Sequence, residues 1–443
     1  MSAGFDCDVL VVGGGPAGAT LATLLAERGR DVLMLEKDHH PRFHIGESLL
    51  PANARLFERL GLRAQVERIG MPKYGVEFVS PHHAHTSLLD FADGWDKTIP
   101  MAWQVRRSEL DQILFEHAAA RGVRTLQGCR VRRVAFDADG ASVETTLDDG
   151  AERTWRARFV VDASGRDTLL ANQFGLKHKH RKHNSAALFG HFRGARRLEG
   201  RLEGNISIFW FPHGWLWFIP LADGSTSVGA VCWPHYLKSR KNSLAEFFRD
   251  TIALAPALAA RLEGAELIDD KVWATGNYAY ASERASGERW LMVGDAYAFI
   301  DPVFSSGVYL AMASSFAAVD AVEATLAGDA RAAGSARARF EAHMKKGPRI
   351  FTWFIVRMTN PAIRELFMHP RNVLRMQEAV VGMLAGDIFG RTPLWTSLNL
   401  FKLVYWATSL AMLPRAFAAW RRRKQLIADV GAVEGENVMA SAR

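Results

Sequence analysis

At 443 residues the chain is longer than one hydrophobic core usually serves, so two or three structural units are expected. A 49% hydrophobic and 23% charged composition excludes intrinsic disorder, and a net charge of +8 without any nucleic-acid motif gives no reason to expect a nucleic-acid partner. Cys7, Cys129 and Cys232 stand far apart with no CxxC pair, which excludes a local zinc motif or a disulfide framework and suits a reducing cytoplasm; no metal site is assigned.

The N-terminal MSAGFDCDVLVVGG lacks a basic leader and runs straight into glycines, so it reads as a first strand and not as a signal peptide. Asp8 to Val12 is a β-branched apolar run, the pattern of a strand buried on both faces. Gly13-Gly-Gly15-Pro16-Ala17-Gly18 comes next, then a helical pattern from Ala19 to Arg28, then a second strand from Asp31 to Glu36. In such a βαβ unit Gly13 permits the tight turn, Gly15 lets the backbone approach a pyrophosphate, and Gly18 lets helix and strand pack closely. Pro16 suits the first helical turn, whose free amides bind phosphate oxygens. Glu36 is placed to accept from both ribose hydroxyls. Strand, loop, helix, strand and terminal acid in this order mark a dinucleotide site formed by Gly13, Gly15, Pro16, Ala17, Gly18 and Glu36; a merely structural glycine turn explains none of the flanking pattern.

Further along, Phe159 to Asp162 is a strand leading into Ala-Ser-Gly165-Arg166, and Trp290 to Val293 is a strand ending in Gly294-Asp295. Between them, Gly214-Trp215-Leu-Trp217-Phe-Ile219-Pro220 alternates so that Trp215, Trp217 and Ile219 share one face of a strand. The Ala-rich stretch from Ala311 to Ala338 reads as helix, as does most of the chain from there to Arg423. Trp395, Trp406 and Phe417 are too many large apolar residues to leave in water, so these helices are expected to cover the substrate end of the protein. Leu403 to Pro414 is apolar but only 12 residues long, against the roughly 20 that a membrane span needs. Two basic blocks, Lys177–His183 and Arg421–Lys424, fit either solvated ends or a surface for an anionic partner such as a carrier protein or a membrane face.

The 159–166 and 290–296 segments resemble the second and third FAD fingerprints of the flavoprotein family that includes aromatic hydroxylases. The resemblance implies an α/β fold: a Rossmann-like FAD domain (1–75, 100–175 and 285–330), an inserted antiparallel substrate-side sheet (76–99 and 176–284), and a helical C-terminal region (331–443). It implies that Asp295 contacts the ribityl or pyrophosphate part of FAD and that Arg107 lies near the flavin. No second GxGxxG is present, so a separate NAD(P)H domain is not expected.

Three further matches resemble the flavin-dependent halogenases. Trp215 to Pro220 fits their WxWxIP motif, and Phe299-Ile-Asp-Pro302-Val-Phe304-Ser305-Ser306-Gly307 fits their FxxPxxSxG pattern. Lys73, in Met71-Pro-Lys73-Tyr-Gly75, falls where that family carries its essential lysine, and Pro41 to Pro51 resembles the loop crossing the flavin. By this resemblance, Trp215, Trp217, Ile219 and Pro220 wall the substrate off from the flavin. The amides of Ser306 and Gly307 hold chloride or bromide at a helix start, beside Ser305 and Gly307 near the cofactor. Reduced FAD from a separate flavin reductase reacts with O2 to a flavin hydroperoxide; halide attack gives hypohalous acid, which travels through a tunnel to Lys73. The tryptophan-halogenating branch carries glutamate immediately before the serine. Here that residue is Phe304, which points to a small phenol- or pyrrole-type aromatic, free or carrier-tethered.

Each match alone has a plainer reading: core tryptophans, a surface lysine, a helix cap. It is their co-occurrence in family order that carries the halogenase expectation. Competing functions are a flavin monooxygenase or isoprenoid-type reductase on the same fold, and a catalytically silent FAD-binding scaffold.

Overall fold

The computed structural model describes residues 4–180, 183, 185–276, 279–390 and 392–431, with side chains to Arg422. Two compact units share the chain: Met1–Gly70, Val105–Lys179 and Tyr280–Phe351 form the first, and Met71–Gln104, His180–Ala279 and Thr352–Arg443 the second.

In the first unit the strand Cys7–Val12 runs parallel to Val32–Leu35 on one side and to the far half of Glu152–Asp162 on the other. Arg124–Leu126 and Trp290–Met292 extend the parallel part. The near half of Glu152–Asp162 instead pairs antiparallel with Ala141–Leu147, which continues to Cys129–Phe136. Val9, Leu10 and Val11 have no exposed surface, as a strand covered on both faces requires. Helix Pro16–Ala26 packs against helix Gly307–Leu326, with Ser315 Oγ donating to the Ala17 carbonyl at 2.8 Å. By length and composition Gly307–Leu326 could cross a membrane, but 61% of its apolar stretch is buried within the fold. The Ala-rich stretch is two helices, Gly307–Leu326 and Ala330–Ile355, because Gly328 turns the chain at φ +80°. Helices Asn53–Leu60 and Arg63–Ile69, joined at Gly61 (φ 71°), are additions to the sequence reading.

The second unit is built on an eight-stranded sheet in the order Glu266–Leu267, Ala186–Arg193, Ser225–Cys232, Gly214–Pro220, Ile206–Phe211, Gly75–Val79 and Ser87–Asp90, with Trp273–Thr275 also on Ala186–Arg193. It is antiparallel except for one parallel pairing, Ile206–Phe211 with Gly75–Val79. Leu188, Phe209, Leu216, Phe218 and Val228 pack on one face against Phe248, Ile252 and Leu258 of two short helices. Fully burying each such side chain contributes about 1.5–3 kcal/mol.

Helix Trp395–Ala411 buries Leu398, Phe401 and Tyr405 within this unit. The expectation that the large apolar residues of the C-terminal helices are covered is corrected: Leu403, Trp406 and Leu410 of this helix and Leu413, Phe417 and Trp420 of the next, Leu413–Gly431, at alternating spacings of three and four, are each more than half exposed. Of the basic blocks, Lys177–Lys179 pairs with Tyr280–Ser282, while Arg181, Lys182 and the side chains of Arg423 and Lys424 lie outside the described residues.

Candidate functional site

The first unit carries the glycine loop. Gly13 holds φ +100°, and a Cβ there would strike the Ala163 carbonyl. A Cβ on Gly18 would collide with the Gly13 carbonyl oxygen, so strand end and helix start touch backbone to backbone. Gly15 caps helix Pro16–Ala26 with no side chain on its amides, and Pro16 occupies the first turn. The helix therefore presents unclaimed N–H groups and a positive partial charge. The Cβ position of Gly15 is open, its nearest neighbour being Arg42 Nη2 at 3.4 Å. That guanidinium lies 3.5 Å from Glu36 and 3.3 Å from Asp111, and its Nε is buried without a partner. Glu36, just past the strand Val32–Leu35, accepts from the Gly14 amide at 2.7 Å and the Asp38 amide at 3.0 Å, which fixes the carboxylate while leaving lone pairs for further donors. Helix amides, a guanidinium with spare donor capacity and a fixed acid fit the diphosphate and ribose of FAD.

Beside this loop, Arg107 donates to both Asp111 oxygens (2.8 and 3.0 Å) and to the Ile45 carbonyl (3.1 Å). Burial would raise the Asp111 carboxyl, but the Arg107 charge and hydrogen bonds outweigh it and hold the group below its usual range. Gly46, at φ +109°, allows the close approach, since a Cβ would sit 3.1 Å from Arg107 Nη1. Burial and the Arg107 charge push His44, in the same loop, down to about 4. Asp295 is raised to about 6 by burial, against the pull of Arg107 and Arg166. Its neighbour Gly294, at φ +58°, donates its amide to Ser314 Oγ at 2.9 Å, which fixes the turn that presents the acid. The first unit thus brings together Gly13, Gly15, Pro16, Ala17, Gly18, Glu36, Arg107 and Asp295.

Ser305 adopts the left-handed conformation (φ 55°) directly before helix Gly307–Leu326, and Ser306, buried, caps that helix without using its side chain. A Cβ on Gly307 would meet only Phe299, at 3.7 Å. The result is a helix start with free amides and room beside it, an arrangement that favours an anion. Phe304 is buried with its ring 6.4 Å from Phe351, so it is part of the first unit's core.

In the second unit Lys73 ends the short strand Met71–Lys73. It is 2% exposed, with Nζ 5.2 Å from the Phe91 ring, and burial lowers its ammonium to about 7. The buried Asn205 accepts at Oδ1 from the amides of Tyr74 and Gly75, both at 2.9 Å, fixing the backbone just after the lysine. The Gln104 side-chain amide donates to the Gly204 carbonyl at 3.0 Å and ties the same segment to the partner strand Ala102–Gln104. Trp215 and Trp217 have ring centroids 6.0 Å apart, and Trp217 Nε1 donates to Ser227 Oγ at 3.1 Å. Leu216 and Phe218 enter the opposite, helix-covered face, which leaves Trp215, Trp217 and Ile219 together; Pro220 closes the strand.

The FAD binding domain family matches residues 6–344. A tryptophan 2-halogenase of Chondromyces crocatus is 36% identical over 329 residues, 72% of this chain and 62% of that protein. A flavin-dependent halogenase of Armillaria mellea is 34% identical over 349 residues, 73% of this chain and 68% of its own length. The chain belongs to the flavin-dependent halogenase family. Among solved structures, the myxobacterial chondrochloren halogenase CndH superposes with a TM-score of 0.76 at 30% identity, covering 92% of this chain and 97% of that one. A flavoprotein/dehydrogenase of Cytophaga hutchinsonii gives 0.83 at 28% identity, covering 92% and 99%. The chain thus spans somewhat less than two thirds of the first relative's length.

Sequence reasoning passed over Arg42, Asp111 and Asn205. Asp111 was within reach, since Arg107 and Asp111 stand four apart on one helix face. Asn205 was not, because it meets Tyr74 and Gly75 across about 130 residues of chain.

Proposed function

We propose that this chain is an active FAD-dependent halogenase of small electron-rich aromatics of the phenol or pyrrole type, free or carrier-tethered, working in the cytoplasm with a separate flavin reductase. The observation that carries the reading is Lys73: a buried amine with its ammonium lowered to about 7, at the position where the resemblance to flavin-dependent halogenases implies an essential lysine.

When bound and reduced, FAD would supply two electrons and two protons, with which O2, a halide ion and one further proton give hypohalous acid and water. For this chain's residues, the helix amides beside Gly15 and the Arg42 guanidinium bind the diphosphate, and Glu36 orients the ribose. Arg107 fixes the Ile45–Gly46 backbone near the flavin, and Asp295 holds the ribityl side. The amides of Ser306 and Gly307 hold chloride or bromide. Trp215, Trp217, Ile219 and Pro220 exclude the aromatic from the cofactor. Lys73 receives the hypohalous acid. As an ammonium it donates a hydrogen bond that polarises the acid; as an amine it forms an N–halogen bond with loss of water and passes the halogen to the ring in exchange for the ring proton. An ammonium lowered to about 7 makes both forms accessible near neutrality. Phe304, in the place of the glutamate of the tryptophan-halogenating branch, supports the electron-rich substrate class.

The test supplies reduced FAD, O2 and bromide with a panel of phenols and pyrroles, free and carrier-bound, and reads products by mass spectrometry. Brominated product supports the reading. Oxygenated or reduced product without bromine supports the second reading, a monooxygenase or reductase, which the likeness to a flavoprotein/dehydrogenase favours.

A further inference from the structure

The loop between strands Gly75–Val79 and Ser87–Asp90 carries Pro81-His82-His83-Ala84-His85, and helix Pro361–Met368 with its cap carries Glu365 and His369, one turn apart. Both segments belong to the second unit. His83 Nε2 lies 3.1 Å from Glu365 Oε2, and His369 Nδ1 lies 3.0 Å from Glu365 Oε1. One ligand atom from each of His83, Glu365 and His369 falls within 4.8 Å of the others. The ring of His85 stands beside them, 4.9 Å from that of His369, with its Nε2 hydrogen-bonded to the Met368 carbonyl at 2.9 Å.

We propose that His83, Glu365 and His369 form a binding site for a divalent transition metal, zinc best, separate from the flavin and lysine chemistry. Ligand atoms 2.0–2.1 Å from a tetrahedral zinc stand about 3.3 Å apart. The two histidines approach opposite oxygens of the Glu365 carboxylate at about that spacing, and with one ligand atom from each residue already within 4.8 Å of the others, side-chain rotations bring a single oxygen and both nitrogens onto one metal. The other nitrogen of His83 is also committed: Nδ1 sits 2.9 Å from Ser80 Oγ, and Ser80 is itself buried. A partner of this kind holds the ring plane of a metal-binding histidine, its hydroxyl can accept from Nδ1–H when Nε2 is the metal-binding nitrogen, and it leaves Nε2 facing the carboxylate. Two imidazoles and one carboxylate select zinc, nickel or copper over magnesium and calcium, which prefer oxygen ligands throughout. Three protein ligands leave a fourth position for water, beside His85. Bound metal would pin the His82–His85 loop to the helix Pro361–Met368.

The test uses the full-length, FAD-loaded protein, stripped with chelator, desalted and titrated with zinc chloride alone by calorimetry, with bound metal counted by elemental mass spectrometry. The expected result is one zinc per chain and a zinc-dependent rise in melting temperature. His83→Ala combined with His369→Ala should weaken zinc by at least roughly 30-fold and abolish that rise. Unchanged far-ultraviolet dichroism and tryptophan fluorescence in the double variant show that it folds; His83→Gln and Glu365→Gln, each tested singly, serve if it does not. Failure of the wild type to bind stoichiometric zinc, or binding by the variants as tight as wild type, overturns the proposal.

Discussion

The benzo edge of Trp217 lies directly against Gly229, its cross-strand partner, where a Cβ would overlap the ring. Gly229 is thus the residue that lets an indole lie flat on the sheet, beside Trp215 and Phe189. Gly229→Val should displace Trp217 and cost about 1–3 kcal/mol of stability by overpacking. Urea denaturation, with near-ultraviolet dichroism to report the indole, checks it; an unchanged midpoint and spectrum would contradict the packing.

FAD retention tests the glycine loop. Gly15→Val should lower FAD affinity at least 100-fold, because the side chain enters the open face beside Arg42 where the diphosphate is placed. Gly334→Ala, at an exposed position of helix Ala330–Ile355 with free space at the Cβ, should leave affinity unchanged and stabilise by up to about 1 kcal/mol. Equal FAD binding by wild type and Gly15→Val, read by fluorescence titration, would contradict the assignment.

How much of the fold and site was legible in the sequence depended on the range of the forces. The βαβ unit and its glycines are local: strand period, turn sterics and helix start all lie between Cys7 and Glu36, and the structure holds them there. The face shared by Trp215 and Trp217 comes from strand alternation alone. What escaped depends on distant chain. Lys73 is picked out by its place in the halogenase pattern, but what buries it, the pairing of Met71–Lys73 with Ala102–Gln104 and the Phe91 ring over its amine, is not local. The exposed stripe from Leu403 to Trp420 misled in the opposite sense, because hydrophobic spacing identifies an apolar helix face without identifying what covers it.

That helix supplies a contrast. Phe401→Ala should destabilise by about 3–5 kcal/mol, since Phe401 packs with Phe354 and Trp353, whereas Trp406→Gln should stay within about 0.5 kcal/mol. Thermal and urea unfolding of both variants check this. A large loss in Trp406→Gln would mean that the exposed stripe supports the fold.

Burial of Lys73 predicts a pH dependence of stability. Its folded ammonium, lowered to about 7 from 10.5, binds fewer protons than the unfolded one between those values, so wild-type stability should rise with pH across that window and level off above it. Each unit of the shift is worth about 1.4 kcal/mol. Lys73→Met should therefore be more stable than wild type at pH 7, by on the order of 2–4 kcal/mol, with the advantage fading toward pH 10.5. A difference independent of pH from 7 to 10 would show that burial does not lower the Lys73 ammonium.

The most direct measurement separates hypohalous acid release from halogenated product in Lys73→Ala. With reduced FAD, O2 and bromide, the variant should bind FAD, consume oxygen and release hypobromous acid close to wild type, because no residue assigned to the cofactor or the halide is altered. Brominated aromatic should nevertheless fall by several orders of magnitude, since a held electrophile is replaced by one that diffuses freely. Lys73→Arg should fail nearly as badly, because a guanidinium stays protonated and forms no N–halogen bond. Product formation near the wild-type rate in Lys73→Ala would contradict the account.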